Sequence, residues 1–326
     1  MNKIYRLRSA LRMIAWLALA GLAPLANGQE PGRQSQVIVP VGAGGLNDQL
    51  ARIMAERLAA GMQSHFVVVN KPGANGNIAA TYVARSQPNG ETLLLGSAQM
   101  SGSVTLYKSL NYSLEKDLAP IALLARTPYF LAVNADLPVK SVGDLIALAR
   151  AKPNTVSFAS TGVGSGGHLL GESFQQLAGV KLLHVPFNSA GQYSTELIAG
   201  RVDMVFAGLP IIKPHLQSGK LRVLAVTLPE RSSFLPEVPT MRESGGPAME
   251  DTAWFGLFAP SGTPKTLMET YERIARETVQ DPKIMERLSA QGAIPGGEGP
   301  AAFSRRIHED IQHKAAIIKA AGVPQQ

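Results

Sequence analysis

The 326-residue chain contains no cysteine, which excludes a disulfide scaffold, a thiolate nucleophile, Cys-ligated zinc and iron–sulfur clusters. Its 31 Lys+Arg against 24 Asp+Glu give a net charge of +7, but four of those cations, Lys3, Arg6, Arg8 and Arg12, precede an 11-residue apolar run that starts at Met13. With small residues at Ala26 and Gly28, residues 1–28 read as a cleaved signal peptide, and the remaining 298 residues carry only +3, too little for a nucleic-acid partner.

Beyond the leader, short β-rich runs recur at 37–39, 66–69, 92–96, 121–125, 129–133, 156–159, 182–186, 204–207, 221–227 and 254–259. Helical patterns lie between several of them. Leu50, Ile53, Met54 and Leu58 keep i, i+3, i+4, i+8 spacing, and Leu170, Phe174 and Leu177 keep i, i+4, i+7. Turn chemistry marks the joints at Lys71-Pro72-Gly73, Gln87-Pro88-Asn89-Gly90 and Lys152-Pro153-Asn154. The last stretch, 263–322, is mostly helical. Apolar strands joined by helices predict an α/β chain with parallel sheets covered on both faces.

Two glycine-rich loops carry the strongest functional signal. Pro40-Val41-Gly42-Ala43-Gly44-Gly45-Leu46-Asn47-Asp48 and Ser160-Thr161-Gly162-Val163-Gly164-Ser165-Gly166-Gly167-His168 each follow a strand and open a helix. Such a turn aims free backbone N–H groups and the positive helix end into the crevice beyond the strand ends, where open α/β sheets bind ligands. Asn47 or Asp48 also suits a helix N-cap. The second loop spells a formal G-x-G-x-x-G, but the strand near 183–187 offers no acid for a ribose, which disfavours a dinucleotide. Ser97 and Ser165 lack the glycine flanks of a nucleophile elbow, no phosphate loop occurs, and the six histidines never form H-x-x-x-H. His168 and His184 read as packed histidines, and Trp254 and Phe255 as core rather than a stacking platform.

Several motifs in order resemble the Bug-type receptors, the periplasmic binding components of tripartite tricarboxylate transporters. Residues 40–52 are similar to P-Y/F-x-P-G-G-x-x-D-x-x-A-R, 70–78 to N-K-P-G-A-x-G-N-I, 160–169 to S-S/T-G-x-G-S-x-G-H-L, and 184–203 to H-V-P-Y-K-G followed by G-x-V-D. Lys-Leu-Arg at 220–222 leads into L-A-V-T, Val238-Pro239-Thr240 recurs, and 254–264 is similar to W-F/Y-G-L-x-A-P-x-G-T-P. The resemblance implies a two-lobed periplasmic-binding-protein fold (type II-like) with two crossover strands as hinge. Domain 1 would comprise 29–123 plus 229–326, and domain 2 would comprise 124–228. It implies a periplasmic, monomeric solute receptor, without cofactor, metal or catalysis. Its ligand would be a small organic carboxylate, held largely by backbone N–H groups and waters at the first loop. Its partners would be transporter membrane subunits or a sensor ectodomain; an exported enzyme on the same fold is the remaining alternative.

The candidate binding residues are Gly44, Gly45, Leu46, Asn47, Asp48, Ser97, Thr161, Gly164, Ser165, Phe187, Asn188, Ser189 and Ala207. Departures from the family pattern include Val41 for an aromatic residue and Ala43 for a proline in the first loop, with more in the second lobe. Phe187-Asn188-Ser189 replaces Tyr-Lys-Gly, Gln192-Tyr193 replaces Pro-Ala, and Ala207 replaces a frequent acid. The expectation is a ligand anchored by one carboxylate in domain 1, with a less charged remainder in domain 2.

Overall fold

The structure, a computed structural model, describes residues 34–326; the expected signal peptide lies outside the described residues. The chain opens with β1 (Ser35–Val39), α1 (Leu46–Met62), β2 (Phe66–Asn70), α2 (Asn77–Ala84), β3 (Thr92–Ser97), α3 (Gln99–Leu106) and the long β4 (Leu118–Pro128). It continues through β5 (Phe130–Asn134), α4 (Val142–Ala151), β6 (Ser157–Ser160), α5 (Gly166–Ala178), β7 (Leu183–Pro186), α6 (Ala190–Ile198), β8 (Met204–Ala207), α7 (Leu209–Leu216) and β9 (Leu221–Val226). After a stretch with neither helix nor strand come β10 (Thr252–Pro260), α8 (Lys265–Gln280), α9 (Pro282–Ala290), the two-residue β11 (Ile294–Pro295) and α10 (Pro300–Ala320).

The strands form two sheets, ordered β11-β4-β10-β3-β1-β2 and β7-β6-β8-β5-β9. Period-2 alternation explains why the strands are apolar throughout, since both faces of each sheet are covered. In the first sheet Val37, Leu93, Leu95 and Leu257 point toward α1, α8 and α9, while Ile38, Leu94, Leu123 and Phe258 point toward α2 and α10. In the second, Leu131, Phe158 and Phe206 pack with α4 and α5, while Phe130, Ala132 and Val205 pack with α6 and α7.

The sheets are mixed rather than parallel. β10 runs antiparallel to β3 and β4, and β5 runs antiparallel to β8 and β9. The reason is the crossover. β4 leaves the first sheet and enters the second as β5 after the single residue Tyr129, and β10 returns antiparallel beside β4. Thr227 ties the two passages together, because its Oγ1 accepts from the Tyr129 N–H at 3.0 Å and donates to the Asp251 carbonyl at 2.7 Å.

Two sequence expectations differ from the structure in detail. Leu177 is exposed, because the inward face of α5 continues from Phe174 to Ala178. Residues 229–251, assigned from sequence to the first domain, pack on the second sheet: Leu235 and Val238 join one of its cores, and Met241 and Met249 the other. Residues 124–128, assigned to the second domain, still pair with β10 in the first sheet. Neither segment carries a periodicity that declares its partner.

Candidate functional site

The first glycine loop leads from β1 into α1. Gly45 is the N-cap in an extended conformation, with no side-chain cap, so the N–H groups of the first turn stay free of intrahelical partners. The expected caps, Asn47 and Asp48, sit instead inside the helix. Asp48 is buried and turned away from the crevice to brace the loop. Its carboxylate accepts from the Gly44 N–H at 3.0 Å, from Arg52 Nε at 2.9 Å and from Asn70 Nδ2 at 3.1 Å. Asn70 also donates to the Val41 carbonyl at 3.0 Å. The bond from Arg52, then those from Gly44 and Asn70, hold the Asp48 carboxyl below its ordinary range against the opposing effect of burial. Gly44 is held at φ 98°, a left-handed conformation that favours glycine.

The second loop leads from β6 into α5 and rests on a pair of histidines. Ser165 is the N-cap, its hydroxyl accepting from the His168 N–H at 3.4 Å. His168 Nδ1 accepts from the Gly164 N–H at 3.2 Å, and its ring lies 4.3 Å from that of His184. His184 Nε2 meets Ser160 Oγ at 2.7 Å, and that hydroxyl accepts from the Gly162 N–H at 3.1 Å. Burial, reinforced by the neighbouring His184, pushes His168 down to about 4. Burial also lowers His184.

Both loops open onto one cavity of about 400 Å³. Gly45, Leu46 and Asn47 line it from the first loop, and Gly164 and Gly166 from the second. Ser97, Ala98 and Gln99 contribute the turn from β3 into α3. The paired crossover residues Thr127 and Ala253 form part of its wall, with Tyr129 and Phe255. Asn47 is buried and its Oδ1 has no partner.

Of the thirteen residues singled out from sequence, Gly45, Leu46, Asn47, Ser97 and Gly164 line this cavity. Gly44, Asp48 and Ser165 support the loops from behind, and Thr161 is exposed. Ser189 caps α6, its Oγ accepting from the Gln192 N–H at 3.3 Å. Ala207 is buried in a core of the second sheet. Three of these lie one residue before a lining residue: Gly166, Ala190 and Gly208 reach the cavity where Ser165, Ser189 and Ala207 do not. Phe187 and Asn188 border a separate surface depression with Gln192 and Glu196. The Gln192 side chain accepts from the Asn188 N–H at 3.0 Å, and Tyr193 is buried in the core.

Sequence reasoning missed Tyr129, Phe255 and Lys314. Trp254 is core, packed on Phe258 and Phe303, but alternation along β10 turns its neighbour Phe255 to the cavity. Lys314 sits on the otherwise apolar inward stripe of α10 with Phe303, Ile307 and Ile311. A cation at a core position was the legible signal. No group of three or more metal-ligating side chains occurs among the described residues, and no helix there is long and apolar enough to cross a membrane.

Comparison with known proteins agrees with this architecture. Residues 50–323 match the family described as Tripartite tricarboxylate transporter family receptor. Protein BugT of Bordetella pertussis is 34% identical over 310 residues, covering 94% of this chain and 95% of BugT. Among solved structures, R. palustris Rpa4515 with adipate superposes with a TM-score of 0.81 at 34% identity, covering 91% of this chain and all of that one. MatC from Rhodopseudomonas palustris with bound malate gives 0.77 at 29%, covering 88% of this chain and 99% of that one. The periplasmic binding protein BugD gives 0.77 at 32%, covering 90% and 99%. The chain therefore belongs to the family of tripartite tricarboxylate transporter receptors, the family that contains the Bug proteins.

Proposed function

We propose that this protein captures a small organic carboxylate in the periplasm and delivers it to the membrane subunits of a transporter, without catalysing a reaction. The observation that carries the reading is the free first turn of α1, at Gly45, Leu46 and Asn47, opening on a half-open cavity with largely apolar walls. Backbone N–H groups and the positive helix end suit a carboxylate there. Relatives support the class, since Rpa4515 was solved with adipate and MatC with malate. The Ser160–His184 contact is not read as a nucleophile and its base, because Ser160 is buried beneath the loop and its Oγ already accepts from Gly162. The two sheets serve as two lobes, with Tyr129 and Thr227 at the crossings, and closure brings the second loop down on the ligand.

The test is a thermal-shift screen of the mature protein with small carboxylates, sugars and cations. A ligand that binds only the folded form raises the melting temperature by mass action. Carboxylates should raise it. A response to sugars with none to carboxylates rejects the reading.

A further inference from the structure

Lys314 is the charged side chain among the described residues lining the cavity, and it is almost wholly buried, at 4% exposure. Its Nζ donates to the Ala98 carbonyl at 2.8 Å and to Asp310 Oδ2 at 2.9 Å. An ammonium has three N–H donors, so these two bonds leave one. Asp310 is itself held in place, because the same Oδ2 accepts from Trp254 Nε1 at 2.7 Å. The lysine is thus oriented by a fixed carboxylate and a backbone carbonyl at the wall of the site.

Stability alone does not account for a lysine here. Burying an ion pair costs desolvation that its attraction often fails to offset, and apolar residues of similar volume do as well or better. The rest of the inward face of α10 is apolar. Asp251, the second acid close by, lines a separate surface depression with Arg126, Arg306 and His313, and burial raises its carboxyl.

The lysine also lies near the second loop. A methyl group placed on Gly102 would meet Lys314 Cδ at 3.7 Å and the Gly164 carbonyl at 3.8 Å. The free N–H groups of the first loop belong to a different element, the start of α1. The cavity therefore presents two separate anion-binding features with apolar wall, including Leu46, Leu169 and Phe255, around them.

We infer that Lys314 is a specificity-determining residue that pairs with a second carboxylate, so that the ligand is a dicarboxylate with an apolar spacer. This rests on the carboxylate-receptor reading above, and it replaces the sequence-based expectation of a single carboxylate with a neutral remainder. Charge that the second-lobe segment 187–193 lacks is supplied instead from α10.

The experiment is calorimetry at neutral pH with adipate and with monomethyl adipate, which keeps the length and one carboxylate, on the wild type and Lys314→Met. Wild type should prefer the diacid by about tenfold to hundredfold, the worth of one charge-assisted bond, and Lys314→Met should lose that margin. Equal wild-type affinity for both ligands overturns the role of Lys314, as does a variant that keeps the margin or loses both affinities alike. If Lys314→Met does not fold, Lys314→Gln, which keeps an N–H donor without the charge, is read in the same way. A wild type that binds neither of these acids nor any other small carboxylate rejects the receptor reading itself.

Discussion

The backbone N–H of Gly164 donates to Nδ1 of His168 across 3.2 Å, so a cavity-lining glycine is positioned by a ring nitrogen that accepts only while unprotonated. His184 faces the same ring at 4.3 Å, and Glu172 lies 3.7 Å from His168 Nε2.

That relationship predicts acid sensitivity. The folded-state value of His168, about 4, lies below its ordinary 6.5. Between the two, the folded chain binds fewer protons than the unfolded chain, so stability falls as pH falls through that window and is unaffected by this group above about 6.5. The full displacement corresponds to about 3 kcal/mol. His184, also lowered, acts in the same sense, whereas Glu172, raised by burial, acts in the opposite one. His168→Asn places a non-titrating oxygen on Cγ where the histidine has Nδ1. Melting temperatures from pH 7.5 to 4 should fall more steeply in wild type than in His168→Asn, and parallel curves would reject the assignment.

Gly45→Val should abolish ligand binding and leave the fold intact. Gly45 has φ −79°, which any residue adopts, and nothing lies within 4 Å of the Cβ it would gain. The added side chain would sit at the turn of free N–H groups that lines the cavity. Calorimetry should show affinity down by a hundredfold or more, roughly the loss of one or two charge-assisted bonds, while stability changes by only about 0.5 kcal/mol. Undiminished affinity would remove the first loop from the site.

Gly166→Ala should fail for the opposite reason. A Cβ there would lie 2.0 Å from the Tyr129 hydroxyl and 2.8 Å from the ring carbon that bears it. Overpacking of this kind costs about 1–3 kcal/mol. Adding Tyr129→Phe removes the nearest atom, so the double variant should recover part of the lost stability in denaturant melts. Additive losses would mean that the two residues do not press on each other.

Asn188→Lys should leave the preference between mono- and dicarboxylates unchanged within about twofold, since an exposed charge outside the cavity is strongly screened. Asn188 is exposed and borders the neighbouring depression. Calorimetry with the same ligand pair checks this, and a shift toward the diacid would place the 187–193 loop in the site after all.

The ten apolar runs and the two glycine loops were legible in the sequence because strand burial and tight turns are written locally, in continuous apolar runs and in glycine. Each of those runs overlaps a strand from β1 to β10. Strand direction was not, because the antiparallel β10 is set by how the chain crosses between sheets, which no local pattern encodes. The site was half legible for the same reason. Gly45, Leu46, Asn47 and Gly164 follow from strand–glycine–helix order. Ser165, Ser189 and Ala207 miss the cavity by one residue, since two cap their helices with side chains turned to the backbone and the third ends its strand facing a core. Lys314 comes from a helix near the far end of the chain, and only packing of α10 against the turn at Ala98 brings it to the wall. Periodicity marks such a lysine as misplaced in an apolar stripe; what it faces is decided by tertiary structure alone.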